Sequence, residues 1–166
     1  IHLVSKKNYN NTNTSFYGSS NLPIKHNHIL IFFKKNQFIY NDPRRFGFIK
    51  ILENKIDLLN FFKNVGPEPF DNQFDISYLH NYLKGKKKNI KSFLLDQKFV
   101  SGIGNIYANE ILFYCKISPF KQAKKLSKKD IEKMKYFSKL VLTRAIKKGG
   151  SSIRNFKNTK GKNGNY

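Results

Sequence analysis

The chain holds a single cysteine, Cys115. One thiol closes no internal disulfide and builds no multi-cysteine zinc site. It lies in an apolar stretch, which points to a buried core thiol in a reducing compartment, cytoplasm or organelle matrix. Long apolar runs are lacking too. None approaches the ~20 residues of a membrane-spanning helix, and no signal peptide opens the chain, so no membrane partner is expected. Internal repeats are absent. Acidic residues are scarce, with 10 Asp and Glu against 32 Lys and Arg, a formal charge of +22 and a pI near 10.1. Arginine is scarce as well: of the 32 basic residues only Arg44, Arg45, Arg144 and Arg154 are arginines. A field of this size attracts polyanions, nucleic acid first among them. Lys, Asn, Ile, Phe and Tyr are nevertheless the residues that A/T-rich codons favour, whatever the function. Arginine in a specific motif therefore says more than lysine in general.

What is present is apolar and aromatic. The 166 residues are 39% hydrophobic and 15% aromatic, enough to bury a core in one domain or two small ones. The first residue is Ile1 rather than Met, which suggests a processed or truncated start. Residues 5–21 are rich in Asn, Ser and Thr and read as an exposed loop. Short runs at 28–33, 38–40 and 48–52 read as strands of an antiparallel meander. A short helix fits 56–62, and Gly66-Pro67-Glu68-Pro69 breaks it. Helical spacing follows. Ile76, Leu79 and Leu83 share a face. Phe93, Leu94 and Leu95 belong to a helix ending before Gly102, and Ile106, Ile111, Leu112 and Cys115 to one that starts near Asn105 and stops before Pro119. Ser127 caps the clearest helix, Asp130 suits its positive end, Ile131, Met134, Val141 and Ala145 form its apolar stripe, and Gly149-Gly150 ends it. The tail, 151–166, is polar and looks flexible. Strands then helices make an α+β chain. The expected division is 1–53 as part of a β-rich domain, 54–72 as linker, 73–150 as helical domain and 151–166 as the start of a loop.

Two segments carry chemistry. In Asp42-Pro43-Arg44-Arg45-Phe46-Gly47, Pro43 sets a turn and Gly47 permits an unusual backbone angle. Guanidiniums offer planar forks for base edges or phosphate, and a Phe at a loop tip can wedge between bases. A hairpin with solvated arginines and a packed Phe fits the same spacing. In Leu94–Glu110, Gly102-Ile103-Gly104 leads into a helix at Asn105. Glycines let a phosphate approach the backbone, the helix start offers N–H groups, and Asn105 adds an amide. That arrangement holds a backbone and reads no sequence. An ordinary helix–turn–helix corner fits equally well.

The strings DPRRFG (42–47) and LLDQKFVSGIGNIYANEILF (94–113) resemble two hallmark segments of formamidopyrimidine-DNA glycosylases, in the right order. IHL (1–3), KHNH (25–28), GPEPF (66–70) and GGSSIRNF (149–156) also match, and the resemblance covers nearly the whole chain. It implies a β-sandwich domain, of which only part is here, then a helix–two-turn–helix domain. It implies base-excision repair of oxidised purines: the nucleotide is flipped out and the abasic site nicked by elimination. The family's nucleophile is the amine of an N-terminal proline, assisted by a glutamate. A secondary amine gives an iminium, an electron sink for elimination. The implied partner is double-stranded DNA with an oxidised purine or abasic site, bound by a monomer in the bacterial cytoplasm or an organelle matrix. By position, Arg44 contacts the base opposite the lesion and Phe46 wedges into the vacated stack. Arg45 supports the backbone nearby. His2 and Asn105 hold flanking phosphates, aided by Lys91 and the turn of Gly102 and Gly104. Residues 151–166 begin the loop that closes over the flipped base.

Departures from the pattern shape these expectations. The Pro-Glu start belongs upstream of Ile1, so the chain is expected to be an internal piece without a catalytic residue of its own. The four zinc-ligand cysteines belong beyond Tyr166, which leaves the fragment with no cofactor and places one structural zinc in the whole enzyme. The family follows IHL with Gly-Met-Ser-Gly, the Met a second wedge; here Val4 and Ser5 stand instead. His26 and His28 lack a third ligand, so solvated or phosphate-facing roles fit them better than metal binding. Asp96 and Glu110 read as capping or core-edge carboxylates. The competing functions are a DNA-binding remnant without chemistry and a basic ribosomal or RNA-binding protein; the latter leaves Asp42–Gly47 unexplained.

Overall fold

The computed structural model describes residues 2–5, 12–13, 24–34, 36–152 and 164–166. The chain divides into two compact units, Ile1–Ile51 with Arg144–Tyr166, and Leu52–Thr143. The α+β order is as the sequence implies, antiparallel strands followed by helices. No described helix is long and apolar enough to cross a membrane.

The first unit carries a four-stranded antiparallel sheet of β1 (His2–Ser5), β2 (Thr12–Asn13), β3 (Asn27–Phe32) and β4 (Asn36–Asn41), in the order β2-β1-β4-β3. Thr12 and Asn13 pair with Leu3 and His2, so part of the expected 5–21 loop is strand; the rest of that loop lies outside the described residues. Ile39 is the buried apolar residue of β4, whereas Leu30, Ile31 and Phe32 on β3 are exposed. Register slips by one residue between Asn27 and Ile29. The extra residue is His28, and such a bulge re-aims a side chain. The strand expected at 48–52 does not form. Strand composition alone does not add a strand, and the described sheet of β1 to β4 takes none from these residues. Phe48, Ile49 and Ile51 are exposed.

The second unit is helical. Helix α1 (Lys55–Phe62) is capped by Asn54 and buries none of its residues. Gly66 and Pro67 then join the backbone of a later segment: Gly66 N–H donates to Gln97 O at 2.8 Å, and Ser101 N–H to Pro67 O at 3.1 Å. A Cβ on Gly66 would stand 2.6 Å from the Phe99 backbone, so glycine is required there for space. Helix α2 (Ile76–Leu83) starts at Asp75, whose carboxylate accepts Tyr78 N–H at 2.7 Å. It buries Leu79 and Leu83. Helix α3 (Ile90–Leu94) ends before Gly102 as expected, with Leu95 as its C-cap rather than within it. Asp96 accepts Lys98 N–H at 3.0 Å. Such local side-chain bonds offer the backbone an alternative to helix.

Phe99 lies beyond that break and is fully buried. Its ring stacks on Tyr78 (6.0 Å), tilts against Tyr82 (4.8 Å) and meets Phe93 edge-on (5.9 Å). The Tyr78 hydroxyl donates to Phe99 O at 2.7 Å. Helix α4 (Asn105–Cys115) buries Ala108, Ile111, Leu112 and Cys115. Helix α5 (Lys128–Lys147) begins with a reciprocal capping box. Ser127 Oγ accepts Asp130 N–H at 3.1 Å, and Asp130 Oδ2 accepts Ser127 N–H at 3.0 Å. It ends as expected: Gly149 takes a positive φ of 76°, and Gly150 N–H donates to Ala145 O at 2.9 Å, a Schellman closure. The described ends of the tail are bonded rather than loose, Ser152 N–H to Tyr166 O at 2.9 Å and Tyr166 N–H to Gly150 O at 3.0 Å. Residues 153–163 lie outside the described residues, and with them most of the expected closing loop and GGSSIRNF motif.

Phe99→Ala should destabilise the protein by about 3–5 kcal/mol, the range for a buried aromatic truncated to alanine. Phe113→Ala, on an exposed ring, should shift stability by less than ~0.5 kcal/mol. Urea unfolding of both variants checks this; equal losses would contradict the placement of the aromatic core.

Candidate nucleic-acid interface

Asp42 follows β4 and organises the loop of residues 42–47. Its N–H donates to His26 O at 3.0 Å. Its carbonyl accepts from the bulged His28, Nε2–H donating at 2.9 Å. The carboxylate gathers the loop around itself. Oδ1 accepts the N–H groups of Arg44 (3.2 Å) and Arg45 (3.0 Å). Oδ2 accepts Gly47 N–H at 2.7 Å and the Tyr40 hydroxyl at 3.2 Å. The Gly47 N–H bond is the largest cause holding the Asp42 carboxyl below its ordinary value; partial burial opposes it, and the Tyr40, Arg44 and Arg45 bonds reinforce it.

The unusual backbone angle falls on Arg45, at φ 57°, and not on Gly47. A left-handed non-glycine residue costs about 1–2 kcal/mol, which the carboxylate bonds offset. Gly47 is needed for room instead. A Cβ there would collide with the Tyr40 hydroxyl and stand 3.2 Å from Asp42 Oδ2. With the N–H groups of Arg44, Arg45 and Gly47 bonded from within, the loop leaves Arg44, Arg45 and Phe46 exposed. Phe46 is 79% exposed, so the reading of a packed Phe is set aside. The Arg44 guanidinium lies 5.1 Å from the Phe46 ring centroid, within cation–π range. Such a pair can put a flat apolar face and a donor fork against one base step. His2 sits on β1 opposite Ile39 of β4. Val4 and Ser5, at the expected second wedge, pair with Gln37 and Asn36 in the same ladder.

In the second unit, Gly102, Gly104 and Asn105 come together at the start of α4. Gly102 takes φ 81°. Gly104 is the N-cap and supplies no side-chain bond, and the first turn of α4 carries no acid. A Cβ on Gly102 or Gly104 would meet nothing within 4 Å, so this turn lies open. Asn105 is exposed. One side chain holds the turn: Gln97 Oε1 accepts Gly102 N–H at 3.0 Å, and Gln97 Nε2 donates to Ile103 O at 3.2 Å. An open helix start with its positive end unneutralised accommodates a phosphate. Lys91 lies on α3, half-exposed. Asp96 is a turn cap, as its bond to Lys98 shows, and Glu110 is half-buried on α4.

Asp42 and Gln97 are the positioning residues that the sequence reading passed over. Asp before Pro in a turn carries a detectable signal, since Asx side chains bond the following backbone. Nothing in the spacing marks Gln97. The structural zinc implied by the resemblance finds no fit here. Among the described residues no group of three His, Cys, Asp or Glu could hold a metal. Cys115 is buried, and burial pushes its thiol up to about 12, away from the thiolate that zinc requires.

Asp42 also yields a pH prediction. Because its folded-state value is lowered, its contribution to loop order is present above the ordinary 3.8 and lost as pH falls through the folded value. A carboxyl-carbon NMR titration should give a midpoint below 3.8, with the Gly47 amide shift following it. A midpoint at or above the ordinary value would contradict the hub.

The sequence profile of the formamidopyrimidine-DNA glycosylase H2TH domain matches residues 65–157. A formamidopyrimidine-DNA glycosylase of Wolbachia sp. subsp. Drosophila simulans (strain wRi) is 43% identical over 143 residues, covering 86% of this chain and 52% of the relative. One of Prochlorococcus marinus (strain MIT 9312) is 41% identical over 157 residues, covering 91% and 53%. Among solved structures, MutM in complex with carbocyclic 8-oxo-G containing DNA is similar with a TM-score of 0.74 at 37% identity, over 84% of this chain and 51% of that one. The Lactococcus lactis enzyme non-covalently bound to DNA containing an AP site gives 0.71 at 37% identity, over 78% and 49%. The chain thus spans about half the length of the curated relatives it matches. With the family's H2TH profile matching more than half of the residues and relatives above 40% identical over most of them, the chain belongs to the formamidopyrimidine-DNA glycosylase family.

Proposed function

We propose that the whole protein repairs oxidised purines in DNA, as a DNA N-glycosylase with abasic-site lyase activity. These 166 residues supply much of its hold on the damaged duplex. The observation that carries this reading is the exposed Phe46 with Arg44 against its ring, on a loop whose Arg44, Arg45 and Gly47 N–H groups are held by Asp42. An exposed ring on a rigid loop gains by entering a base stack. In this reading Phe46 fills the space left by the flipped nucleotide, Arg44 reads the opposite base and Arg45 steadies the backbone. His2, Lys91, Asn105 and the Gly102–Gly104 turn hold phosphates. The partner is duplex DNA with an oxidised purine or abasic site, and the protein acts as a monomer in the bacterial cytoplasm or an organelle matrix. The neighbours solved with 8-oxo-G DNA and with AP-site DNA support that choice of partner. Catalysis rests on a prolyl amine upstream of Ile1, and the structural zinc on a finger beyond Tyr166. The domain division follows the same pattern, with the β-rich part over 1–53, a linker over 54–72, the helix–two-turn–helix domain over 73–150 and the start of the lesion loop over 151–166.

Borohydride trapping on 8-oxoguanine duplex tests the chemistry. The full-length protein should give a covalent adduct, and the chain described here should give none. Absence of adduct from both would reduce the protein to a DNA-binding remnant. Arg44→Ala in the full-length protein should weaken binding to the lesion duplex by about 1–3 kcal/mol and blur its preference for the opposite base. An unchanged preference would remove Arg44 from base reading.

A further inference from the structure

Lysines of two separate segments share one backbone framework in the helical unit, apart in sequence from the loop at 42–47 and the turn at 102–104. The link between α2 and α3 carries Lys84, Lys86, Lys87 and Lys88. The approach to α5 and its first residues carry Lys124, Lys125, Lys128 and Lys129. All eight are exposed. Backbone bonds tie the segments together. Ala123 N–H donates to Lys88 O at 3.0 Å, Lys124 N–H to Lys86 O at 2.9 Å and Ile90 N–H to Lys121 O at 2.9 Å. Asn89 and Gln122 form an antiparallel bridge between them. Adjacent chains in such a ladder run about 4.8 Å apart. Lys86 and Lys88 are thereby held beside Lys124 on a fixed backbone support, and Lys84, Lys87, Lys125, Lys128 and Lys129 lie within a few residues of it in sequence.

Acidic groups do little to offset them. Asp130 is engaged by Lys121 Nζ at 2.7 Å and by the Ser127 N–H. Glu132 lies further along α5, exposed, and among the described residues no ion pair joins it to Lys128 or Lys129. Gathering like charges on one backbone support is unfavourable unless an anion or water screens them. A single small anion spans too little of the array, whereas a phosphate backbone presents charge at a regular interval along it. The ladder also leads directly into α3 and Lys91, so the lysine array continues from a residue proposed above to hold phosphate.

We propose that Lys84, Lys86, Lys87, Lys88, Lys124, Lys125, Lys128 and Lys129 form a second phosphate-binding surface, which holds duplex DNA flanking the lesion. Its ligand is the sugar–phosphate backbone, held without sequence preference. The proposal rests on the glycosylase reading for its choice of DNA, but the surface acts separately from lesion recognition. It extends the footprint on the duplex and slows dissociation from long DNA more than from short.

The test is a Lys86, Lys87, Lys88, Lys124, Lys125→Gln variant of the full-length protein, with circular dichroism melting to check the fold. Binding is measured across a salt series on a lesion duplex of about three helical turns and on one just covering the lesion. On the long duplex the variant should bind about tenfold or more weakly. Its log–log salt slope should fall by about 0.9 for each phosphate that the variant no longer neutralises. On the short duplex both proteins should bind alike, and the ratio of lesion to undamaged binding should not change. Equal affinity and slope on the long duplex would overturn the proposal. So would a weakening confined to structured RNA, which would assign the surface to RNA instead. If the unmodified protein shows no lesion preference while the slope still falls, the glycosylase reading fails and the phosphate surface stands.

Discussion

The loop that faces outward from the first unit depends on one carboxylate. Where β4 ends, the backbone of Arg44, Arg45 and Gly47 leaves the ladder and needs acceptors. Asp42 supplies them with two oxygens. The rest of the loop follows from that. Arg45 can hold a left-handed angle because its N–H is fixed. A side chain at position 47 would have to displace the Tyr40 hydroxyl from the carboxylate, because the two occupy the space it would need. Phe46 is left with nowhere to pack, and Arg44 covers one face of its ring. Here the exposed aromatic is what the hydrogen bonding leaves over, and the cost of exposing it is relieved only when something flat takes it in.

The second unit solves the same problem with an amide. Between α3 and α4 the backbone again leaves regular structure, and Gln97 bonds both Gly102 N–H and Ile103 O. Two residues on, Phe99 pins the segment into an aromatic cluster, and Gly66 fits against its backbone because it has no Cβ. The open start of α4 is thus set on a stiff base. Order already present in the free protein lowers the cost of binding, since little is left to immobilise.

Much of this was legible in the residues. The helical periodicity located α2, α4 and α5, and the caps at Ser127 and Gly149 were readable because each uses a residue suited to one backbone position. The two motif segments pointed to Arg44, Phe46 and Asn105. What escaped reading depends on partners far along the chain. Residues 48–52 have strand composition but no described strand beside them. Thr12 and Asn13 look like loop but complete an edge. The role of Gly47 depends on where the Tyr40 ring falls. The pairing of the two lysine segments is likewise tertiary, since Lys86–Lys88 and Lys121–Ala123 meet only through folding.

The loop held by Asp42 should put Phe46 into the base stack. The direct measurement is fluorescence of 2-aminopurine placed beside a lesion in duplex DNA, with full-length protein. Insertion of the ring with nucleotide flipping should unstack the probe and raise its emission. The account predicts a rise with the unmodified protein, no rise with Phe46→Ala at saturating protein, and a much reduced rise with Asp42→Ala although Phe46 is present. An undiminished rise with Phe46→Ala would contradict it.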